Sequence, residues 1–511
     1  MQRRTEDSSL ADDLIVVGAG SAGAVIASRV SERASLAVTL LEAGPDYPDP
    51  RGLPDDLRDG TRNSMRAHDW GLRHRPTAGQ VLFDFPRGKV VGGSSAVNTC
   101  IALRGQPYDY DEWASMGLPE WGWASCLPAF KRLENDLDVR NEWHGQDGPL
   151  PIRRHSPGEL VPWQAAFLEA CGALGFSPCV DSNDPTTTGF GPHAMNKIAG
   201  ERISAARAWL TPGVRARDNL RVRPHTRVHR VIVQNRRVVG LLVETHGRVH
   251  EIAARRVVLS AGAIETPGIL LRSGIGPRRD VERLGVELVS DLPAVGARLL
   301  DHPGCAIFLR PRRGIQRFDH PLIQTVLRYT SKGSDCPNDM QIQPGSFAPL
   351  PRITLPLVSL MCCLGKPRGH GRLVFESANP RVPPRIDSDF LVDDGDRARA
   401  REALGTMLRL AETAALKPLA RPFWPRAATL AHAGIDTWMA KMCGSGYHPS
   451  GTVPMGPEGH PSAAVDGRGR VRGVAGLYVA DASIMPTIPS ANTNLATLMI
   501  GERFGEWLRD D

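Results

Sequence analysis

Gly18, Gly20 and Gly23 fall at G-x-G-x-x-G spacing within LIVVGAGSAGAVIASRVSE, residues 14–32. Residues of this type let a main chain approach a phosphate closely, because no side chain intervenes and backbone N–H groups remain free to donate. Glu42 follows 19 residues after Gly23, where a carboxylate takes the ribose hydroxyls of a dinucleotide. A second stretch, PRGKVVGGSSAVNTCIALRG (residues 86–105), brings Gly88, Gly92 and Gly93 beside Ser94 and Ser95. Its bare backbone can press against a flat or phosphorylated group. A glycine-rich bend in a core is the plainer alternative, and the glycines alone leave NAD and FAD both open. The 15 histidines include no H-E-x-x-H or similar ligand pattern, so no catalytic metal is expected.

The elements around the glycines favour the nucleotide. Leu14–Val17 is an apolar run of the length of a buried strand, and residues 22–30 read as a helix whose N-terminus faces a pyrophosphate. A second apolar run, LAVTLLEAG, carries the chain to Glu42. Strand, glycine turn, helix, strand and acid thus occur in register.

The chain has 511 residues, enough for two or three domains and an enclosed ligand. Hydrophobic residues make up 41% and charged residues 23%, and no apolar run approaches the ~20 residues that span a bilayer, which predicts a globular protein without a membrane span. The opening MQRRTEDSSLADD has no apolar segment of signal-peptide type, so the expected location is the cytoplasm. Nine scattered cysteines without C-x-x-C fit reduced thiols. The net charge of +7 arises from 55 arginines and 7 lysines, and the densest basic region alternates charge with valine, as solvated strand faces do; nucleic acid is not an expected partner.

Residues 45–88, rich in Pro, Gly and Asp, are too long for an ordinary loop and read as a segment that wraps a ligand. Two hairpins are predicted, LRVRPHTRVHRVIV and RVVGLLVETHGRVHEIAARRVVLSAG, the latter ending in RRVVLSAG, a parallel strand returning to the first unit. Residues 305–440 read as an inserted mixed α/β domain with strand-like runs ITLPLVSLMCCL and GRLVFES and a helix over 394–415. The segment LVSLMCCLGKPRGHGRL is expected to wall the substrate pocket. The C-terminus gives a strand, GLYVADAS, a loop and a helix, LATLMIGERFGEWLRD.

Five blocks in order, VVGAGSAG, PRGKVVGGSSAVNTCIALRG, LSAGAIETPGILLRSGIGP, YHPSGTVPMG and VADASIMPTIPSANTNLATLMIGE, resemble the glucose-methanol-choline (GMC) oxidoreductases over essentially the whole chain. The resemblance implies an α/β fold: a Rossmann-like FAD-binding domain (residues 1–155, 200–304 and 441–511) interleaved with a mixed α+β substrate-binding domain (156–199 and 305–440). FAD, not NAD, would lie along Gly18, Gly20, Ser21, Ala22 and Gly23, with Glu42 and Ala43 at its ribose. Arg87, Val91, Gly92, Gly93 and Ser94, then Asn98 and Thr99, are the implied contacts of the second block. Val228 would meet the adenine, Asp481 and Ala482 would lie near the ribityl and pyrophosphate, and Ala261 is a further implied cofactor contact. Thr493 and Asn494 begin the last helix, whose N-terminal amides would face the flavin pyrimidine, and Asn492 and Thr493 are further implied cofactor contacts.

By the same resemblance His448 and Asn492, 44 residues apart, are the catalytic pair beside flavin N5. Alcohol oxidation removes a hydroxyl proton and a hydride, and a histidine suits the first task near neutrality. An amide donates to the developing alkoxide without taking its proton. Val97 stands where choline oxidases carry the histidine bonded to flavin, which implies non-covalent FAD. The implied activity is oxidation of a primary alcohol, aryl or furanic, to the aldehyde by proton abstraction and hydride transfer to N5, with oxygen or another acceptor reoxidising the flavin. A choline-type dehydrogenase or oxidase, a redox-silent hydroxynitrile lyase, and a flavin-binding protein without turnover are the alternatives.

Overall fold

The computed structural model describes residues 12–349 and 353–511. The opening residues 1–11, on which the leader reading rests, lie outside the described residues. Five short strands build a wholly parallel sheet: β1 (Leu14–Val17), β2 (Val38–Leu41), β3 (Leu220–Arg223), β4 (Val257–Leu259) and β5 (Leu477–Val479), in the order β3-β2-β1-β4-β5. Every residue of β1, β2 and β4 is buried, as expected of parallel strands covered on both faces. Helix α1 (Ser21–Val30) leaves β1 through the glycine turn and packs along the C-terminal helix Thr493–Asp510. Gly501 permits that approach, since a Cβ there would stand 2.9 Å from the Ala22 carbonyl oxygen. Arg29 on α1 meets Glu502 at 2.9 Å, tying the two helices by charge.

One predicted hairpin is absent. LRVR and TRVHRVIV do not pair: the first is β3, parallel to β2. Pro224, without an N–H, and His225 at φ +53° redirect the chain between them. Thr226–Gln234 instead starts a three-stranded antiparallel sheet with Arg237–Thr245 and Arg248–Ala253.

A second core lies under a six-stranded antiparallel sheet of Ala420–Trp424, Ala306–Pro311, Val358–Leu364, Met340–Gly345, Thr325–Tyr329 and Gly189–Pro192, in that order. Helices Pro162–Ala173 and Asp394–Ala411 cover it. The stretch 372–387 departs from the expectation for 305–440. Its strands Arg372–Val374 and Arg385–Asp387 pair with each other and with Arg73–Arg75, and Leu373, Phe375 and Ile386 bury themselves with Leu72 and Phe85 in the first core.

The crossings between the two cores position the site. Pro303–Gly304, on the way out, pairs antiparallel with Gly444–Ser445 on the way back. Whatever flanks these strands therefore sits where both cores meet. All nine cysteines are free. No helix among the described residues is long and apolar enough to cross a membrane.

Candidate active site

A cavity of about 600 Å³ runs from the glycine turn of β1 to the crossing strands. At its first end the main chain is the wall. Gly18 turns at φ +96°, and a Cβ there would lie 2.4 Å from the Ser260 carbonyl oxygen. A Cβ on Gly20 meets no protein atom nearer than the Gly93 Cα at 3.9 Å, so a side chain there would enter the cavity. This is a cradle that suits a pyrophosphate: open backbone at the N-terminus of a buried ten-residue helix. Ser21 and Ala22 share the wall, with Ser21 Oγ donating to Asn494 Oδ1 at 2.7 Å.

Glu42 closes this end beside Ala43. Its carboxylate accepts from the N–H of Ala19 at 3.0 Å and of Gly44 at 2.8 Å, and burial nevertheless raises its pKa to about 7. Arg87, Gly93, Ser94, Asn98 and Thr99 line the facing side, and Val228, Ala261 and Ala482 the floor. Thr493 heads the C-terminal helix on the same wall.

Four expected contacts behave differently. Gly23, Val91 and Gly92 do not reach the cavity. A Cβ on Gly23 would collide with the Gly18 carbonyl oxygen at 1.9 Å, so this residue closes the turn. The N–H groups of Val91 and Gly92 bond to the carbonyls of Pro45 at 3.0 Å and Ala19 at 2.7 Å, which locks the second loop onto the first. Asp481 does line the cavity, but its carboxylate is already engaged by the Gly262 N–H at 2.8 Å, Thr266 Oγ1 at 2.7 Å and the Ser483 N–H at 2.8 Å. It is the N-cap of the turn Ala482–Ile484 and also accepts from the first N–H of helix α2 (Gly262–Arg272).

At the other end His448 and Asn492 come together, Asn492 Nδ2 lying 3.0 Å from His448 Nε2. Two residues missed in the sequence, Asp301 and His302, organise them. His302 Nε2 lies 3.0 Å from the Pro489 carbonyl, an acceptor only, so this nitrogen carries the ring hydrogen. Burial lowers the His302 pKa to about 4 and keeps the ring neutral, which leaves Nδ1 as an acceptor. His448 Nδ1, 2.9 Å away, must then be the donor. His448 Nε2 is left with its lone pair, facing the Asn492 amide. Burial, with His302 and Arg87 nearby, holds the His448 pKa well below its usual value, so this ring too is neutral.

Asp301 fixes the main chain. Oδ1 accepts from the His448 N–H at 2.8 Å, and Oδ2 accepts from Ser445 Oγ. Burial raises its pKa to about 6. Ser445 Oγ in turn accepts from the Tyr447 N–H at 2.7 Å, holding Tyr447 at φ +63°, a conformation costly for a bulky residue, in the turn that presents His448. The signal for Asp301 and His302 in the sequence was their place in LLDHPG, directly before the chain changes character. Their partner at position 448 is 146 residues away and nothing local announces it.

Phe308, Leu322, Ile323 and Met361, with Gln341 and Gln343 from one strand, also line the cavity, and the Arg87 guanidinium stands near His448. Cys362 and Cys363, from the segment expected to wall the pocket, line it, whereas the end of that segment, Arg372 onward, belongs to the sheet of the first core. The carboxylates on the cavity wall, Glu42, Glu265 and Asp481, belong to the first end.

Comparison with known proteins fits this arrangement. Two profiles described as GMC oxidoreductase match residues 12–304 and 367–501. The chain is 33% identical to 5-(hydroxymethyl)furfural oxidase of Methylovorus sp. (strain MP688) over 97% of its own length and 98% of the relative's. It is 33% identical to oxygen-dependent choline dehydrogenase of Vibrio vulnificus (strain YJ016), covering 96% and 93%. Among solved structures, pyridoxine 4-oxidase from Mesorbium loti superposes with a TM-score of 0.88 at 30% identity, covering 97% of this chain and 99% of that one. With the α/β architecture, the glycine cradle and the length of these matches all in agreement, the chain belongs to the GMC oxidoreductase family, enzymes that use FAD.

Proposed function

We propose that the protein oxidises a primary alcohol of aryl or furanic type to the aldehyde, with His448 as the base. The observation that carries this reading is the chain of hydrogen bonds Pro489 O, His302, His448, because it leaves a lone pair on His448 Nε2 at the cavity surface. FAD supplies the acceptor for the two electrons that leave the alcohol carbon. The residues of the first end fit it: the open cradle at Gly20 and Gly93 for the pyrophosphate, Glu42 for ribose hydroxyls. Val97, on the cavity wall, offers no nucleophile, which supports non-covalent binding.

A substrate hydroxyl replaces the Asn492 amide at His448 Nε2 and gives its proton there. Asn492 carries two N–H hydrogens, so it can keep donating to the substrate oxygen as negative charge develops. Asp301 and the Ser445–Tyr447 turn hold His448 in place throughout. The substrate would lie between the first core and the second, with the stretch 372–387 counted with the first. Phe308, Leu322, Ile323 and Met361 suit a neutral ring. A trimethylammonium group would want a carboxylate or an aromatic cage, and the carboxylates of the wall lie at the opposite end, which favours the aryl or furanic reading over choline.

Anaerobic mixing with a panel of alcohols tests the proposal. Benzyl and furfuryl alcohols should bleach the flavin faster than choline does. A lyase, or a protein that merely carries flavin, would stay yellow with every alcohol.

A further inference from the structure

A third donor faces the two imidazoles. One ring nitrogen each of His302 and His448, and Sγ of Cys363, all lie within 4.8 Å of one another. Cys363 reaches this point from the strand Val358–Leu364, on the cavity wall. Zinc bonds nitrogen at about 2.0 Å and sulfur at about 2.3 Å in tetrahedral geometry, which separates such ligands by roughly 3.3–3.8 Å. The 2.9 Å contact between the two Nδ1 atoms must therefore open slightly and the longest separation close by about 1 Å, movements within the range of side-chain rotation. The outer contact that a ligating histidine needs is already made, from His302 Nε2 to the Pro489 carbonyl. Two imidazoles and a thiol form a donor set suited to zinc-class cations and poor for magnesium or calcium.

We propose that His302, Cys363 and His448 form a binding site for a soft divalent cation of the zinc class, whose occupation reversibly switches the enzyme off. Binding forms one metal–sulfur and two metal–nitrogen bonds. The Cys363 S–H bond breaks, its proton leaves through the cavity, and nothing is oxidised or reduced. The loss of activity rests on His448 being the base, whereas the site itself does not. If His448 binds through Nε2, its lone pair is spent. If it binds through Nδ1, the ring hydrogen there moves to Nε2, and the acceptor is lost all the same.

The experiment uses holoenzyme equilibrated with zinc chloride and then desalted. The wild type should keep one zinc per chain more than Cys363→Ser, and its anaerobic flavin reduction should slow about 10-fold or more at zinc levels that spare the variant, since loss of a thiolate removes a principal ligand. A chelator should restore the rate, and magnesium chloride should leave it unchanged. A measurement on the unaltered chain guards against a misfolded variant: zinc should slow iodoacetamide alkylation of Cys363 but not of Cys336. Equal zinc content in wild type and variant, or alkylation of Cys363 at one rate with and without zinc, overturns the site and leaves the alcohol-oxidation reading standing. Zinc retained at Cys363 with flavin reduction unslowed overturns the switch and counts against His448 as the base.

Discussion

The two ends of the cavity are built on different principles. The end at Gly18, Gly20 and Gly93 is made of main chain, drawn from two short stretches, and its shape follows from residues that lack side chains. The end at His448 is made of the side chains of Asp301, His302, Ser445, His448 and Asn492 with the Pro489 carbonyl, brought together where segments 300–304 and 444–450 pair as the chain crosses between cores. A cradle of backbone tolerates no added atoms, whereas a relay of side chains tolerates substitution but loses its chemistry. Binding and reaction should therefore fail separately.

The largest effect expected at the first end is total. Gly20→Val should abolish FAD retention, because its side chain would fill the space facing Gly93, while changes at His448 should leave the cofactor in place. The flavin content of purified protein, read from its absorbance, checks both halves of this contrast. A yellow Gly20→Val protein would remove the cradle from the account.

At the second end, His302→Leu removes the acceptor that holds the His448 tautomer. Flavin reduction should slow by about 10- to 100-fold with FAD still bound, the range for loss of an orienting partner. His302→Asn can offer an amide oxygen instead and should lose less. Equal rates for the two variants would mean that His302 only fills space. Asn492→Ala should slow the same step by about 10-fold, since a donor to the substrate oxygen is lost while the base stays. Stopped-flow reduction without oxygen measures all three.

The same contrast explains what could be read from the sequence. β1, α1 and β2 were legible because a buried parallel strand, a glycine turn and a covered helix each leave a local pattern. The fold class followed from them and from the five ordered blocks. His448 and Asn492 were singled out because their flanking residues resemble the GMC family, not through any periodicity, and the structure brings the two side chains together. Asp301 and His302 were not, since their partners lie at Ser445, His448 and Pro489, far along the chain, and tertiary pairing brings these together. The pairing of LRVR and TRVHRVIV failed as a prediction because alternation marks a strand without saying which neighbour it takes; Pro224 decided that. Likewise GRLVFES looks like a strand of the inserted domain, yet Leu373 and Phe375 bury themselves against the first core.

The smallest effect concerns Glu42. Its folded pKa of about 7 lies above the ordinary carboxylate value near 4.5, so the folded state binds this proton more tightly than the unfolded state does. Stability of the flavin-free protein should accordingly fall as pH rises from about 4.5 through 7, by at most a few kcal/mol. Glu42→Gln should flatten that part of the profile, and other buried acids, present in both proteins, cancel in the difference. Urea midpoints between pH 5 and 8 check it; parallel profiles for the two proteins would place the raised pKa elsewhere.

The central claim is that His448 takes the alcohol proton. The most direct measurement is anaerobic flavin reduction by a good aryl alcohol in wild type and His448→Ala, at equal FAD content. The account predicts full FAD occupancy and a rate lower by roughly 10²-fold or more, as loss of a positioned base brings. Reduction of the variant at the wild-type rate would contradict it and put the base at another residue.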